Sequence, residues 1–302
     1  MKDIRKAADI KHNDLKEYLI AILLTLFKGY WEGKKDAPLC SKYLWRARSN
    51  IYYREKIYIN KSFRNPERMI EEELRELIRE IRHCFRCWDM FKDWDRESRM
   101  LIRDWYNRGP WFFPPYPNGN VKGFFGTEGV VFICKIPSTG GRTFPDRRVK
   151  MFYELLSKHG LENAHITDLV KCRRRTKLSA EEWERMLNNC FHFLIKELAI
   201  LMLGGAELEN LRSILLVPVG RDAHKALEKG KEELIEGITN ELMKRTVSSD
   251  RDGLRTIVNE RVQIYDGFIT HYAARKRKEE LEKKLVQEIG KVKEDAEQRN
   301  II

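Results

Sequence analysis

An α/β fold built on a parallel sheet is what this sequence predicts, and three observations carry the expectation. Residues 129–134 (Gly-Val-Val-Phe-Ile-Cys) form a short apolar run that breaks at Pro137-Ser138-Thr139-Gly140-Gly141. A helical pattern over 149–159 leads to a second apolar run, 164–172, which ends in Arg173-Arg174-Arg175. A long helical pattern over 179–203 comes next. Strand, glycine-rich turn, helix, strand, helix is the order that favours parallel pairing through crossover helices. In such sheets ligands collect in the crevice beyond the carboxyl ends of the strands. Two such ends are polar and basic here, at 134–141 and 168–175.

Composition sets the class. The 302 residues are 42% hydrophobic and 34% charged, a globular and not a disordered balance. The net charge of +12 favours a polyanionic partner. The clustering of arginines beside the presumed crevice points to DNA, single- or double-stranded, or RNA, over an acidic membrane surface. A charge-rich, thermophile-like surface is the plainer explanation of the same numbers. The start of the chain has no signal-peptide layout, and the apolar run 19–27 is too short to span a bilayer. A cytoplasmic protein without a membrane segment is therefore expected. In a reducing compartment the six cysteines are metal ligands or core residues before they are disulfides.

Along the chain, residues 3–29 read as helical, and 18–27 are apolar on most sides, as in a helix that docks on a main domain. Residues 40–64 interleave Tyr43, Trp45, Tyr52 and Tyr53 with Arg46, Arg48 and Arg54. That mixture suits either stacking and phosphate contact with nucleic acid or an ordinary hairpin packed through its rings. Asn65 and Pro66 start a helix whose first turns are acidic and whose apolar stripe is Ile70, Leu74, Leu77, Ile78 and Ile81. It runs into Cys84-x2-Cys87, a spacing that aims two sulfurs at one metal centre. Residues 88–122, rich in aromatics and proline, look like an irregular cover. Further strands are expected at 214–219 and 262–269, the second delivering His271, with charged helical sequence over 229–260 between them. Residues 277–297 read as a polar helix with no strong apolar heptad. The expected organisation is a mostly helical extension over 1–79, a main domain over 80–278 and a charged C-terminal helix over 279–302.

These pieces, in this order, resemble the uracil-DNA glycosylase superfamily in its iron–sulfur branch. The resemblance is carried by the Cys-x2-Cys, Gly141-Arg-Thr-Phe144, the segment Ile166-Thr-Asp-Leu-Val-Lys-Cys-Arg173, a cysteine in the next helix and a last strand ending in histidine. It covers residues 80–278 and implies a three-layer sandwich with a four-stranded parallel sheet between helices. It also implies base excision by hydrolysis of the N-glycosidic bond, after the base has left the stack. Carried over residue by residue, Cys84, Cys87, Cys172 and Cys190 would hold a 4Fe–4S cluster. Four thiolates suit that cluster and also zinc. His271 matches the histidine that donates to the base O2, and Phe144 the ring that stacks on the base. Arg173, Arg174, Arg175, Arg275, Lys276 and Arg277 would bind phosphates.

Three positions depart from the family pattern. Lys135 stands where an acid is found, so it attracts an anionic leaving base or a phosphate but cannot orient water as a carboxylate does. A desolvated Lys135 acting as a Schiff-base nucleophile, and a plain contact with a neighbouring acid, are the other readings. Asp168 stands in place of the base-reading asparagine. An ionised carboxylate only accepts, so it suits an amino-bearing base, the placing of water, or an ion pair with Lys135 across neighbouring strand ends. The His-Pro-Ser motif with its apolar wedge becomes His271-Tyr272-Ala273 followed by basic residues. Two functions are therefore expected: an active glycosylase on uracil or another altered base, or a catalytically inactive iron–sulfur nucleic-acid-binding protein on the same scaffold.

Overall fold

The computed structural model describes residues 65–84, 86–87, 112–116, 120–137, 147–172, 178–204, 210–246, 250–274 and 277–302. All of them lie in one compact unit spanning residues 64–302. Four strands, β1 (Val130–Cys134), β2 (His165–Asp168), β3 (Ile214–Val219) and β4 (Val262–Ile264), pair in the order β2-β1-β3-β4, every pair parallel. The two central strands, β1 and β3, are buried along their whole length. A strand covered on both faces has no polar alternation, which is why both read as continuous apolar runs.

Side chains along these strands still alternate between faces. Val131, Ile133, Ile214 and Leu216 join one core with α1 (Pro66–Arg82), α3 (Ala180–Leu203), α5 (Lys231–Thr246) and α6 (Arg251–Arg261). Val130, Phe132, Cys134, Leu215, Val217 and Val219 join a second core with α2 (Arg147–Lys158) and α7 (Lys278–Gln298). The short α4 (Arg221–Lys229) starts directly at the end of β3 and contributes Ala223 and Leu227 to the first core. The fold is thus an α/β three-layer sandwich around a four-stranded parallel sheet.

Local chemistry explains the helix ends. The Asn65 side chain accepts from the Glu67 amide at 3.0 Å, Pro66 fills the first turn, and α1 buries the expected stripe. Ser179 and Glu182 close a capping box on α3, and Gly204 ends it in the left-handed region at φ 55°. By length and composition α3 is apolar enough to cross a bilayer, yet 67% of that stretch is buried inside the protein, so it serves as the central core helix.

Three elements differ from the sequence expectation. The helix over 66–82 belongs to the main core and not to an N-terminal extension, because its whole stripe joins the buried cluster that holds α3, its main neighbour. The charge-laced C-terminal helix is also a core element. Leu281, Leu285, Ile289, Val292 and Ala296 are buried on one side of α7, which packs on α2. Their spacing of four, four, three and four residues is the period of a buried helix face, which the dense charges around it outweigh in a reading by composition. Finally, the strands expected at 164–172 and 262–269 end early, at Asp168 and Ile264. The second resumes only as a single parallel bridge between Ile269 and Val219. The expected docking helix at 3–29, the aromatic–basic segment 40–64 and most of 88–122 lie outside the described residues.

If α7 is part of the core, Leu285→Ala should cost about 2–5 kcal/mol of stability through lost burial and the cavity left behind. Urea unfolding followed by circular dichroism checks this. A change within about 0.5 kcal/mol, typical of a surface position, would show α7 to be dispensable.

Candidate functional site

The strand order reverses between β1 and β3: the chain leaves β1 for β2 on one side, then returns past it to β3 on the other. That reversal is where open α/β sheets bind ligands, beyond the carboxyl ends. Cys134 ends β1 in register with Asp168 of β2 and Val219 of β3. Pairing continues a little further, with Leu169 N–H donating to Cys134 O at 2.8 Å and Val170 N–H to Lys135 O at 3.2 Å.

Lys135 does not pair with Asp168. Its Nζ donates to Asp222 Oδ2 at 2.7 Å, in the first turn of α4, and lies 4.6 Å from the centroid of the Trp183 ring. The reason is the alternation of the strand. Cys134 and Asp168 are opposed in register on the α2 side, so the next residue along β1 turns to the other side, where α3 and α4 begin. The hydrogen bond from Lys135 holds the Asp222 carboxyl below its ordinary range against a smaller opposing effect of burial.

On the α2 side Asp168 is 2% exposed. Its charge acts on two buried neighbours. Burial, then Asp168, pushes the Cys134 thiol far up, while the Tyr272 hydroxyl bonded to that sulfur opposes them. Burial, Cys134 and Asp168 likewise push up Tyr153, whose hydroxyl donates to Pro114 O at 2.9 Å. Both groups are neutral at physiological pH, which excludes Cys134 as a thiolate nucleophile. Tyr272 stacks on Phe152 (5.2 Å between centroids, 21°) and on His271 (4.5 Å, 26°).

His271 follows the Ile269 bridge and lies against Gly220, whose φ of 95° is open to glycine and strained for other residues. A Cβ there would sit 3.5 Å from His271 Cβ. The Ala273 amide N–H donates to His271 Nδ1 at 3.0 Å. An amide nitrogen has only a proton to offer, so Nδ1 is the acceptor and the neutral ring carries its proton on Nε2. Burial, and then the Arg148 charge, lowers the His271 pKa below its ordinary 6.5.

Of the four cysteines named from the sequence, three share one buried cluster, and Cys84, partly buried, packs against the core that holds α1 and α3. Cys87, Cys172 and Cys190 are buried together with Val170 and Met186, and Leu178, Trp183 and Leu187 pack on them. Burial and then Cys190, Cys87 and Cys84 push the Cys172 thiol far up. Burial likewise takes Cys190 to about 12, with Cys87 and Cys84 adding to it and the Lys171 backbone N–H and ammonium opposing. Asn189 Nδ2 donates to Cys87 Sγ at 3.3 Å. The donor set is all thiol and receives N–H donors, as thiolate–metal sites do. Among the described residues, however, no three His, Cys, Asp or Glu side chains close round a single ion position.

Between the cysteines and Asp168 runs a polar network that the sequence reading missed. Lys171 and Glu197 are 1% and 0% exposed. Lys171 Nζ lies 2.7 Å from Glu197 Oε1 and donates to Thr167 Oγ1 at 2.7 Å and to the Asp168 carbonyl at 2.6 Å. Thr167 Oγ1 donates in turn to Glu197 Oε2 at 2.7 Å, and His165 Nε2 stands 3.6 Å from the same oxygen. Burial alone would raise the Glu197 pKa, but Lys171 and His165 outweigh it and the net shift is downward. A lone glutamate in an apolar helix face was the available signal.

Phe144, Arg173, Arg174, Arg175, Arg275 and Lys276 lie outside the described residues. Arg277 is exposed and precedes the first turn of α7. No protein-family model matches the chain, and no curated protein sequence matches it significantly.

Two outcomes follow. Lys171→Met should cost about 3–5 kcal/mol by leaving the Glu197 charge buried alone, and the double variant with Glu197→Leu should recover most of it. Thermal melts of the three proteins decide this; equal losses in the single and double variants would refute the pairing. For His271, the folded pKa is depressed, so the stability held by its neutral ring is complete above 6.5 and is lost as pH falls through the lower folded value. His271→Gln should therefore flatten part of the acid limb of a stability–pH profile that begins below 6.5.

Proposed function

We propose that this chain is a base-excising DNA glycosylase of the uracil-DNA glycosylase type, built round a four-cysteine metal centre. The observation that supports the reading is the shared burial of Cys87, Cys172 and Cys190, together with the acceptor role of His271 Nδ1, which leaves Nε2–H as a donor. The order of motifs that resembles this family supports it. So does the position of His271 against Gly220 at the end of β3, beside the reversal of strand order.

Four thiolates fit a 4Fe–4S cluster, in which each iron takes one cysteine, with less convergence than four sulfurs on one zinc; zinc is the alternative. Either would supply a cross-link between the end of α1, the segment after β2 and the middle of α3. Excision develops positive charge on the sugar and negative charge on the departing base. A neutral Nε2–H donor stabilises that anion without first being neutralised by it. Asp168, an acceptor when ionised, recognises an amino-bearing base or places the attacking water. Phe144 would stack on the extruded base, and Arg173, Arg174, Arg175, Arg275, Lys276 and Arg277 would neutralise phosphates.

One observation favours the second reading, a nucleic-acid-binding protein without catalysis. Lys135, which stands where the family has an acid, is held by Asp222. The two readings separate in a panel of single-lesion oligonucleotides, single- and double-stranded, scored for abasic sites. Product that disappears with Asp168→Ala and His271→Gln is the expected result. Salt-sensitive binding with no product on any lesion would establish the binding-only protein. Cys172→Ser should abolish iron or zinc incorporation measured by elemental analysis, and unchanged metal content would remove the four-cysteine assignment.

A further inference from the structure

The His271 turn is held from both sides by helices, α7 directly after it in the chain and α2 far before it. On its N-terminal side Thr270 is gripped by one carboxylate. The Thr270 amide donates to Glu288 Oε2 at 2.6 Å and its hydroxyl donates to Glu288 Oε1 at 3.0 Å. Glu288 stands in the middle of α7 between the buried anchors Leu285 and Ile289. On the C-terminal side Arg148 Nη1, in the first turn of α2, donates to Ala273 O at 2.5 Å and Ala274 O at 3.1 Å. The turn closes on itself where the Ala274 amide donates to His271 O at 2.8 Å.

The consequence concerns the ring. Nδ1 accepts from the Ala273 amide only while Ala273 stays folded back over its own neighbour. Arg148 holds the carbonyl of that same residue. Glu288 fixes the backbone one residue before the histidine, and Tyr272 covers a ring face. Release of either anchor frees Ala273 to swing away, and Nδ1 then competes with Nε2 for the single proton of the neutral imidazole.

We propose that Glu288 and Arg148 are positioning residues for His271, which fix its proton on Nε2 by holding the Thr270–Ala274 turn. The functional weight of this assignment rests on the base-excision reading, in which Nε2–H is the group that meets the base. The arrangement itself can be tested without any substrate. It also gives the C-terminal helix a task beyond core packing: it carries one of the two anchors of the site.

The experiment is nitrogen-15 spectroscopy of the imidazole rings in the full chain, with the His271 signals identified by their loss in His271→Gln. The wild-type protein should show two well-separated His271 nitrogens, the protonated one being Nε2. In Glu288→Ala and in Arg148→Gln the two signals should move toward each other, as tautomers mix. Glu288→Gln should stay near wild type, because its amide can accept from the Thr270 amide and donate to the hydroxyl. Melting temperatures are measured alongside, and Arg148→Gln, whose side chain is exposed, serves if Glu288→Ala fails to fold. A wild-type ring protonated on Nδ1, or folded variants with unchanged His271 signals, overturns the proposal. A fixed Nε2–H tautomer that relaxes in the variants, in a protein that excises no base, would uphold the positioning role and refute the glycosylase.

Discussion

A buried ammonium on Lys171 and a buried carboxylate on Glu197 constrain everything around the end of β2. In an apolar interior neither charge is tolerated alone, and the desolvation cost offsets much of their attraction. The pair therefore contributes less to net stability than to register. Lys171 finds its acceptors only if Thr167 and Asp168 stand where β2 puts them and Glu197 faces them from α3. A one-residue slip of β2 would turn Thr167 to the other face and leave the ammonium unpaired. The same lysine gives its backbone N–H to Cys190, so the cysteine centre and the Asp168 strand end share one anchor.

The two sides of the sheet have separate tasks at its carboxyl edge. The side covered by α1 and α3 carries the cysteines, the buried ion pair and the Lys135–Asp222 bridge. The side covered by α2 and α7 carries Asp168, Cys134, Tyr153, Tyr272 and the His271 turn. Strand alternation makes this division, since Cys134 and Lys135 are consecutive yet serve opposite layers. It sets the sulfurs of the proposed metal centre apart from the groups proposed to meet a base.

Electrostatics also differ between surface and interior. The chain as a whole carries a net charge of +12, while Cys134 and the His271 ring are held toward their neutral forms by burial. In the proposed function, long-range attraction of a polyanion and local handling of a single base fall to different residues. The first falls off with salt, and the second is shielded from it.

The sequence by itself determined the parallel α/β class, because runs buried on both faces lose their alternation and the helices between them keep theirs. The stripe and the N-cap of α1 were equally legible, since each depends on neighbours a few residues away, whereas the four-cysteine set and the candidate histidine came only with the family resemblance. Only the tertiary structure decided who pairs with whom. Lys135 meets Asp222, 87 residues on, because of the side to which β1 turns it. Glu197 is ionised inside the core because Lys171 is there. The charge-laced α7 has a regular apolar spacing, but that this face is covered by α2 was decided only in three dimensions. Pairings of that kind depend on strand order and face, which no local spacing of residues encodes.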